Sequence, residues 1–154
     1  MNDLEMARRF YCDVLGAGFL MRTDNEFFKK VGRPPMAPDA QSVFHISLVF
    51  GGATRVDLFQ QTFGQATPAQ PHPHYAFRIL PRDLPKWKVR LEAEGVPTEG
   101  PFQLGPPGQA SLYFNDPFGN HLELACMGYL EKIPVQTPDF SRIVWPEYSK
   151  GNRS

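Results

Sequence analysis

The stretch SLYFNDPFGNHLELAC, residues 111–126, decides the fold, because it joins two strand-like runs through one tight turn. Asp116-Pro117-Phe118-Gly119 fits a type I turn: the Asp side chain caps its own backbone, Pro presets φ at the second position, and Gly tolerates a left-handed exit. Beyond the turn the side chains alternate, Leu122 and Leu124 on one face and His121, Glu123 and Ala125 on the other. Before it, Leu112 and Phe114 form the apolar set, Ser111 and Tyr113 the polar one. A carboxylate and an imidazole two residues apart on a strand share one side of the sheet.

Composition bounds what such a hairpin can belong to. The chain has 154 residues, 16 Lys and Arg, 16 Asp and Glu, and a formal charge of +0. It is long enough for one domain or two small modules, and lacks the basic excess of a nucleic-acid or membrane-surface binder. No apolar run approaches the length of a membrane span, and no leader pattern opens the chain. A cytoplasmic protein is expected. Cys12 and Cys126 have neither metal nor redox spacing and read as reduced, partly buried thiols.

Working outward, Asn2 or Asp3 caps a helix, with Glu5 placed to complete a capping box on Asn2. Leu4, Ala7, Tyr11, Val14 and Leu15 recur at helical spacing, and Gly16 and Gly18 stop the run. A strand over 19–22 precedes a Pro-rich loop over 24–42, long enough for a lid, with two exposed-looking aromatics, Phe27 and Phe28. VFHISLVF, residues 43–50, alternates Phe44, Ile46, Leu48 and Phe50 against Val43, His45, Ser47 and Val49. Gly51-Gly52 turns it into a strand over 55–60, with Val56 and Leu58 opposed to Arg55, Asp57 and Phe59. A polar connector over 61–73, with His72 in a Pro-His-Pro-His run, leads to a strand in which Tyr75, Phe77 and Ile79 oppose His74, Ala76 and Arg78. A second helix starts at Asp83, shows Leu84, Trp87 and Leu91 on its apolar stripe, and ends at Gly95-Val96-Pro97. A Gly- and Pro-rich loop over 100–108 precedes the opening stretch. Past Met127, Pro134, Pro138 and Pro146 and the aromatics Phe140, Trp145 and Tyr148 follow no period, so residues 127–154 read as an extension wrapping the body or a partner.

The chain repeats itself. Asp-Leu opens a helix at Asp3 and again at Asp83, Gly16 and Gly95 close them, and the units end in Val56-Asp57-Leu58 and Leu122-Glu123-Leu124. Each strand keeps its large apolars on one face and its chemistry on the other. If the apolar faces pack on helices, His45, Ser47, Asp57, His74, Arg78, Ser111, Tyr113, His121 and Glu123 converge on the concave side of a curved sheet, the default place for a ligand.

Three separated motifs, in order, carry a resemblance: the run DLEMARRFYCDVLG at 3–16, the His74-Tyr75-Ala76-Phe77 strand, and DPFGNHLEL at 116–124. Over about residues 3–126 the chain resembles the vicinal oxygen chelate superfamily, the group of glyoxalase I, the bleomycin and fosfomycin resistance proteins and the extradiol ring-cleaving dioxygenases. The resemblance implies an α+β fold of paired βαβββ modules, a cup-shaped mixed sheet with helices outside, here with module one over 1–62 and module two over 72–126. It also implies a divalent metal in the cup, with His74 and Glu123 matching ligands of the second module and Asp57 the corresponding place in the first.

One departure accompanies it. His74 lies nine residues before Asp83, so its counterpart is expected upstream of Met1 and the first strand of module one, with its usual ligand, outside this chain: the start is called late, a partner chain or the tail fills the gap, or the site is incomplete. An uncovered neighbouring strand exposes backbone groups, so a homodimer or a replacement strand is expected.

One imidazole with one or two carboxylates suits Fe(II) first, and Mn(II), Ni(II) or Zn(II) as alternatives. Such an ion binds vicinal oxygens of a small substrate as a Lewis acid. Tyr113 is placed to donate a proton or hydrogen bond, as a tyrosine does in the ring-cleaving branch, and His121, His45, Arg78 and Ser111 line the pocket, His121 also standing as a replacement ligand. That branch carries a histidine opening the strand before the connector, where Thr54 and Arg55 stand here. The reading is a metal-dependent enzyme, with dioxygenase chemistry slightly ahead of lyase, isomerase or thiol-transfer chemistry. A metal-free ligand-binding protein of the bleomycin-resistance kind and a degenerate module that only dimerises remain as competing classes.

Overall fold

The computed structural model describes residues 3–60 and 74–145, with the side chain of His74 outside that description. The Asn2 capping box, the 61–73 connector with His72, and Pro146 and Tyr148 also lie outside the described residues. The fold is α+β, with two compact units, 1–66 and 67–154.

In the first unit Asp3 caps helix α1 (Leu4–Arg9), its carboxylate accepting from the Met6 amide at 2.9 Å. The helix then widens into a π-turn over Phe10–Val14, closed by Leu15 N–H to Phe10 O at 3.1 Å. The extra residue in that turn lets the consecutive rings of Phe10 and Tyr11 both face inward and bury. Strands β1 (Gly18–Asp24), β2 (Val43–Phe50) and β3 (Thr54–Phe59) form an antiparallel sheet with β2 in the middle. Its apolar face carries Ile46, Leu48 and Leu58, all buried, with Tyr11 edge-on to Phe50 and Phe28 edge-on to Phe44.

The 24–42 segment is only partly loop. Asp24 accepts from Phe27 N–H at 2.9 Å and starts a six-residue helix, α2 (Asn25–Lys30), which turns Phe28 into the core. Asn25 pins the rest, its Oδ1 accepting from the Met36 and Ala37 amides.

Among the described residues of the second unit, four strands lie in the order β4-β7-β6-β5, where β4 is His74–Arg78, β5 Thr98–Phe102, β6 Gln109–Asn115 and β7 His121–Met127. β4 runs parallel to β7, and the other pairs are antiparallel. Helix α3 (Leu84–Ala93) packs on β5 and β7 and buries Leu84 and Leu91, while Leu112, Phe114, Leu122 and Leu124 form the apolar face of the sheet. The Gly- and Pro-containing segment after Pro97 supplies edge strand β5, with a register shift between Glu99 and Phe102. At Gly100, φ is +111° and an added Cβ would sit 2.7 Å from the Ser111 carbonyl oxygen, so only Gly lets the two strands approach there.

The turn at 116–119 forms as read. Gly119 N–H reaches Asp116 O at 3.1 Å, and Gly119 takes φ +82°. Asp116 is fully buried, and its carboxylate accepts from the amides of Phe118 and Asn120 and from Asn120 Nδ2. The segment after Met127 is packed on the second unit: Gln103 N–H donates to Pro134 O, and a short 3-10 helix, Phe140–Ile143, capped by Asp139, buries Ile143 completely.

Candidate functional site

Strand register brings the polar residues of the second unit into rows. Asn115, His121 and His74 are successive Cα partners across β6, β7 and β4; Glu99, Tyr113, Glu123 and Ala76 form the next row across β5 to β4. Ser111, Ala125 and Arg78 form a third. Neighbouring strands lie about 4.8 Å apart and alternate residues of one strand about 6.6 Å apart. The backbone therefore sets positions 74, 121 and 123 at the corners of a small triangle.

Although their alternation suggests a solvated face, Glu123 is 5% exposed, His121 4% and Tyr113 3%. β7 is a central strand, and part of the cover on this face comes from the chain beyond Met127. The Phe140 ring lies on the His121 ring, centroids 4.0 Å apart, and meets Tyr113 edge-on at 6.1 Å. Around it the segment is tied down at several points. Asp139 N–H donates to Glu99 Oε2 at 2.6 Å, and Arg142 pairs with Glu99 at 3.6 Å. Asn115 Nδ2 donates to Ile143 O at 3.1 Å, and Trp145 Nε1–H donates to Asn115 O at 2.7 Å.

These bonds also set a proton. With its Nδ2 committed to a carbonyl, Asn115 turns its Oδ1 toward His121 Nδ1, 2.6 Å away. An oxygen acceptor requires a donor opposite, so the neutral imidazole carries its hydrogen on Nδ1 and its lone pair on Nε2. Burial and the Glu123 charge raise the Tyr113 pKa above its ordinary 10.0, against a smaller lowering by Ser111, so the phenol stays protonated and can donate.

In the first unit, His45, Ser47 and Asp57 share a face of the three-stranded sheet, Ser47 being the Cα partner of Asp57. Asp57 is engaged by Arg55 Nε at 2.8 Å, while Arg55 Nη2 donates to Ser47 Oγ at 3.0 Å. Burial raises its pKa, but hydrogen bonds from Arg55 and Ser47 with the Arg55 charge outweigh that and leave it below 3.8. His45 contacts Thr23 Oγ1 through Nε2 at 3.2 Å and packs against the Phe59 and Phe44 rings. Its buried Nδ1 has no partner among the described residues, and burial, reinforced by Arg55 and opposed by Asp57, lowers its pKa.

The second unit thus unites His121, Glu123, Tyr113 and Ser111, with His74 and Arg78 in register, whereas Asp57 and His45 belong to the first. Sequence reading missed Asn115, Glu99 and Phe140. Asn115 was within reach, since it continues the alternation of Ser111 and Tyr113; Glu99 lies in a strand disguised by Gly100 and Pro101, and nothing periodic marks Phe140. Among the described residues no helix is long and apolar enough to cross a membrane, and no cluster of three metal-ligating side chains is assembled.

Compared with family models, residues 1–124 match the Glyoxalase/Bleomycin resistance protein/Dioxygenase superfamily. No curated protein matches. Among solved structures, an integron cassette protein, HFX_CASS4, from the mobile metagenome of the Halifax Harbour sewage outfall is 25% identical, with a TM-score of 0.58 over 82% of this chain and 91% of that one. A lactoylglutathione lyase from Agrobacterium tumefaciens is 24% identical, with a TM-score of 0.51 over 81% and 86%. A mutant of the fosfomycin resistance protein FosX from Listeria monocytogenes, complexed with Mn(II) and dihydroxypropylphosphonic acid, is 18% identical, with a TM-score of 0.60 over 82% and 85%.

Proposed function

Because this chain belongs to the glyoxalase, bleomycin resistance protein and dioxygenase superfamily over residues 1–124, we propose that it is a metal-dependent enzyme acting on a small substrate with two adjacent oxygens. The observation that carries this reading is the buried Glu123 carboxylate, two residues from the His121 imidazole on β7 and beside the Tyr113 phenol in register. An imidazole lone pair with a carboxylate is a donor set for Fe(II), Mn(II), Ni(II) or Zn(II).

His74 and Glu123 of the second unit hold the ion in this reading, whereas Asp57 is paired with Arg55 in the first. The bound ion supplies Lewis-acid polarisation of the vicinal oxygens. Tyr113, kept protonated by burial and by Glu123, donates a hydrogen bond to a substrate oxygen and can pass it a proton. Cover from Phe140 keeps water from Tyr113 and strengthens each of these interactions. Ring cleavage with dioxygen is the first reaction to test, and the buried tyrosine supports it. Thr54 and Arg55 at the start of β3 favour the second, a non-redox lyase or isomerase.

Metal analysis of the purified protein tests the common premise. Near-stoichiometric metal in the wild type, lost in His74→Ala and Glu123→Ala, is the expected result. Protein that takes up none of Fe(II), Mn(II), Ni(II) or Zn(II) would instead be a metal-free binder. Oxygen uptake with a catechol panel separates the two chemistries.

A further inference from the structure

We propose that His121 is a third protein ligand of this metal site, that Asn115 is its positioning residue, and that the segment at 139–145 holds Asn115 in place; the inference rests on the metal-dependent reading above. A metal-bound imidazole needs a lone pair on one nitrogen, a partner for the hydrogen on the other, and a fixed ring plane. His121 meets each requirement. The chain Ile143 C=O, Asn115 amide, His121 Nδ1–H puts the lone pair on Nε2, and the Phe140 ring at 4.0 Å fixes the plane.

Register supplies the rest. Position 121 is the Cα partner of position 74 across the β4–β7 pair, and position 123 follows it on the same strand face. Two imidazoles and one carboxylate on neighbouring strands form the ligand set that leaves open positions for substrate.

Nitrogen NMR on the full-length, isotope-labelled protein tests this without relying on turnover. Before metal is added, His121 is identified by an Nδ1–H proton shifted far downfield by its short bond to Asn115. On titration with an NMR-active isotope of Cd(II), one-bond cadmium–nitrogen coupling is expected at His121 Nε2. Co(II) binding, followed by its visible absorption, should weaken by more than about tenfold in His121→Gln. It should weaken by about tenfold in Asn115→Leu, which removes the acceptor oxygen opposite Nδ1.

The outcomes separate cleanly. Cadmium bound with no coupling at His121, or His121→Gln binding Co(II) as tightly as wild type, overturns the inference and leaves the metal-dependent reading standing. Wild-type protein that binds neither ion overturns both. The coupling experiment uses the unaltered chain, so it decides the matter even where a variant does not fold.

Discussion

At the scale of single residues, two buried side chains carry measurable consequences. Asp116 accepts three hydrogen bonds inside a turn that water does not reach. Asp116→Ala leaves those donors unsatisfied and should cost about 2–3 kcal/mol in urea unfolding. His45 offers a pH signature. Burial lowers its pKa from the ordinary 6.5, so the unfolded chain takes up the proton first. Stability is therefore complete above pH 6.5 and declines as the pH falls below it, levelling off once the folded imidazole is also protonated. Urea titrations from acid to neutral pH should show that slope, and His45→Gln should flatten it. Much at this scale was readable in advance: Asp116 and Gly119 announce their turn by chemistry that leaves few alternatives. The partner of His45 was not readable, because Thr23 is brought beside it only by pairing of β1 with β2.

At the scale of elements, legibility followed pattern length. The ten-residue helix α3 and the alternating strands β2, β6 and β7 stand out by period. Helix α2 did not, since six residues give less than two turns of pattern and Asp24 is the sole signal of its start. Strand β5 hid because Gly100 and Pro101 look like punctuation, yet both are tolerated at a bulge on a sheet edge. The 3-10 helix at Phe140–Ile143 is the element with most influence on the candidate site and the least sequence signature. Ile143 anchors it with no exposed surface, so Ile143→Ala should destabilise the second unit by about 2–5 kcal/mol. The same variant should change the near-UV circular dichroism of Tyr113, whose neighbour Phe140 is carried by that helix. An unchanged spectrum would show that Phe140 holds its position without the anchor.

At the scale of the whole chain, the repeat was visible because each unit spends its apolar residues the same way, on one helix-facing side of a sheet. Among the described residues the units differ where the repeat is broken: the first shows three strands, and the second a fourth, β4, running parallel to β7. The sequence flagged His74, His121 and Glu123 through their motifs, but not Asn115, which reaches His121 only by the pairing of β6 with β7. Metal binding should register in global stability. At a free concentration about 100 times its dissociation constant, an ion that binds only the folded chain adds about 2.7 kcal/mol. For a chain of this size that is a rise of about 5–10 °C in Tm, reversed by a chelator and absent in Glu123→Ala. Equal melting curves with and without Mn(II), Fe(II), Ni(II) and Zn(II) would contradict the proposed chemistry.

The indole of Trp145, bonded to the Asn115 carbonyl at 2.7 Å, has a practical side. The chain contains two tryptophans, and the other, Trp87, sits on α3 beneath the Arg90 guanidinium. Replacing Trp87 with phenylalanine leaves one tryptophan, at the rim of the candidate centre, to be excited apart from the tyrosines. Its emission wavelength and anisotropy then become an optical gauge of docking, readable in a stopped-flow cuvette with no dye attached.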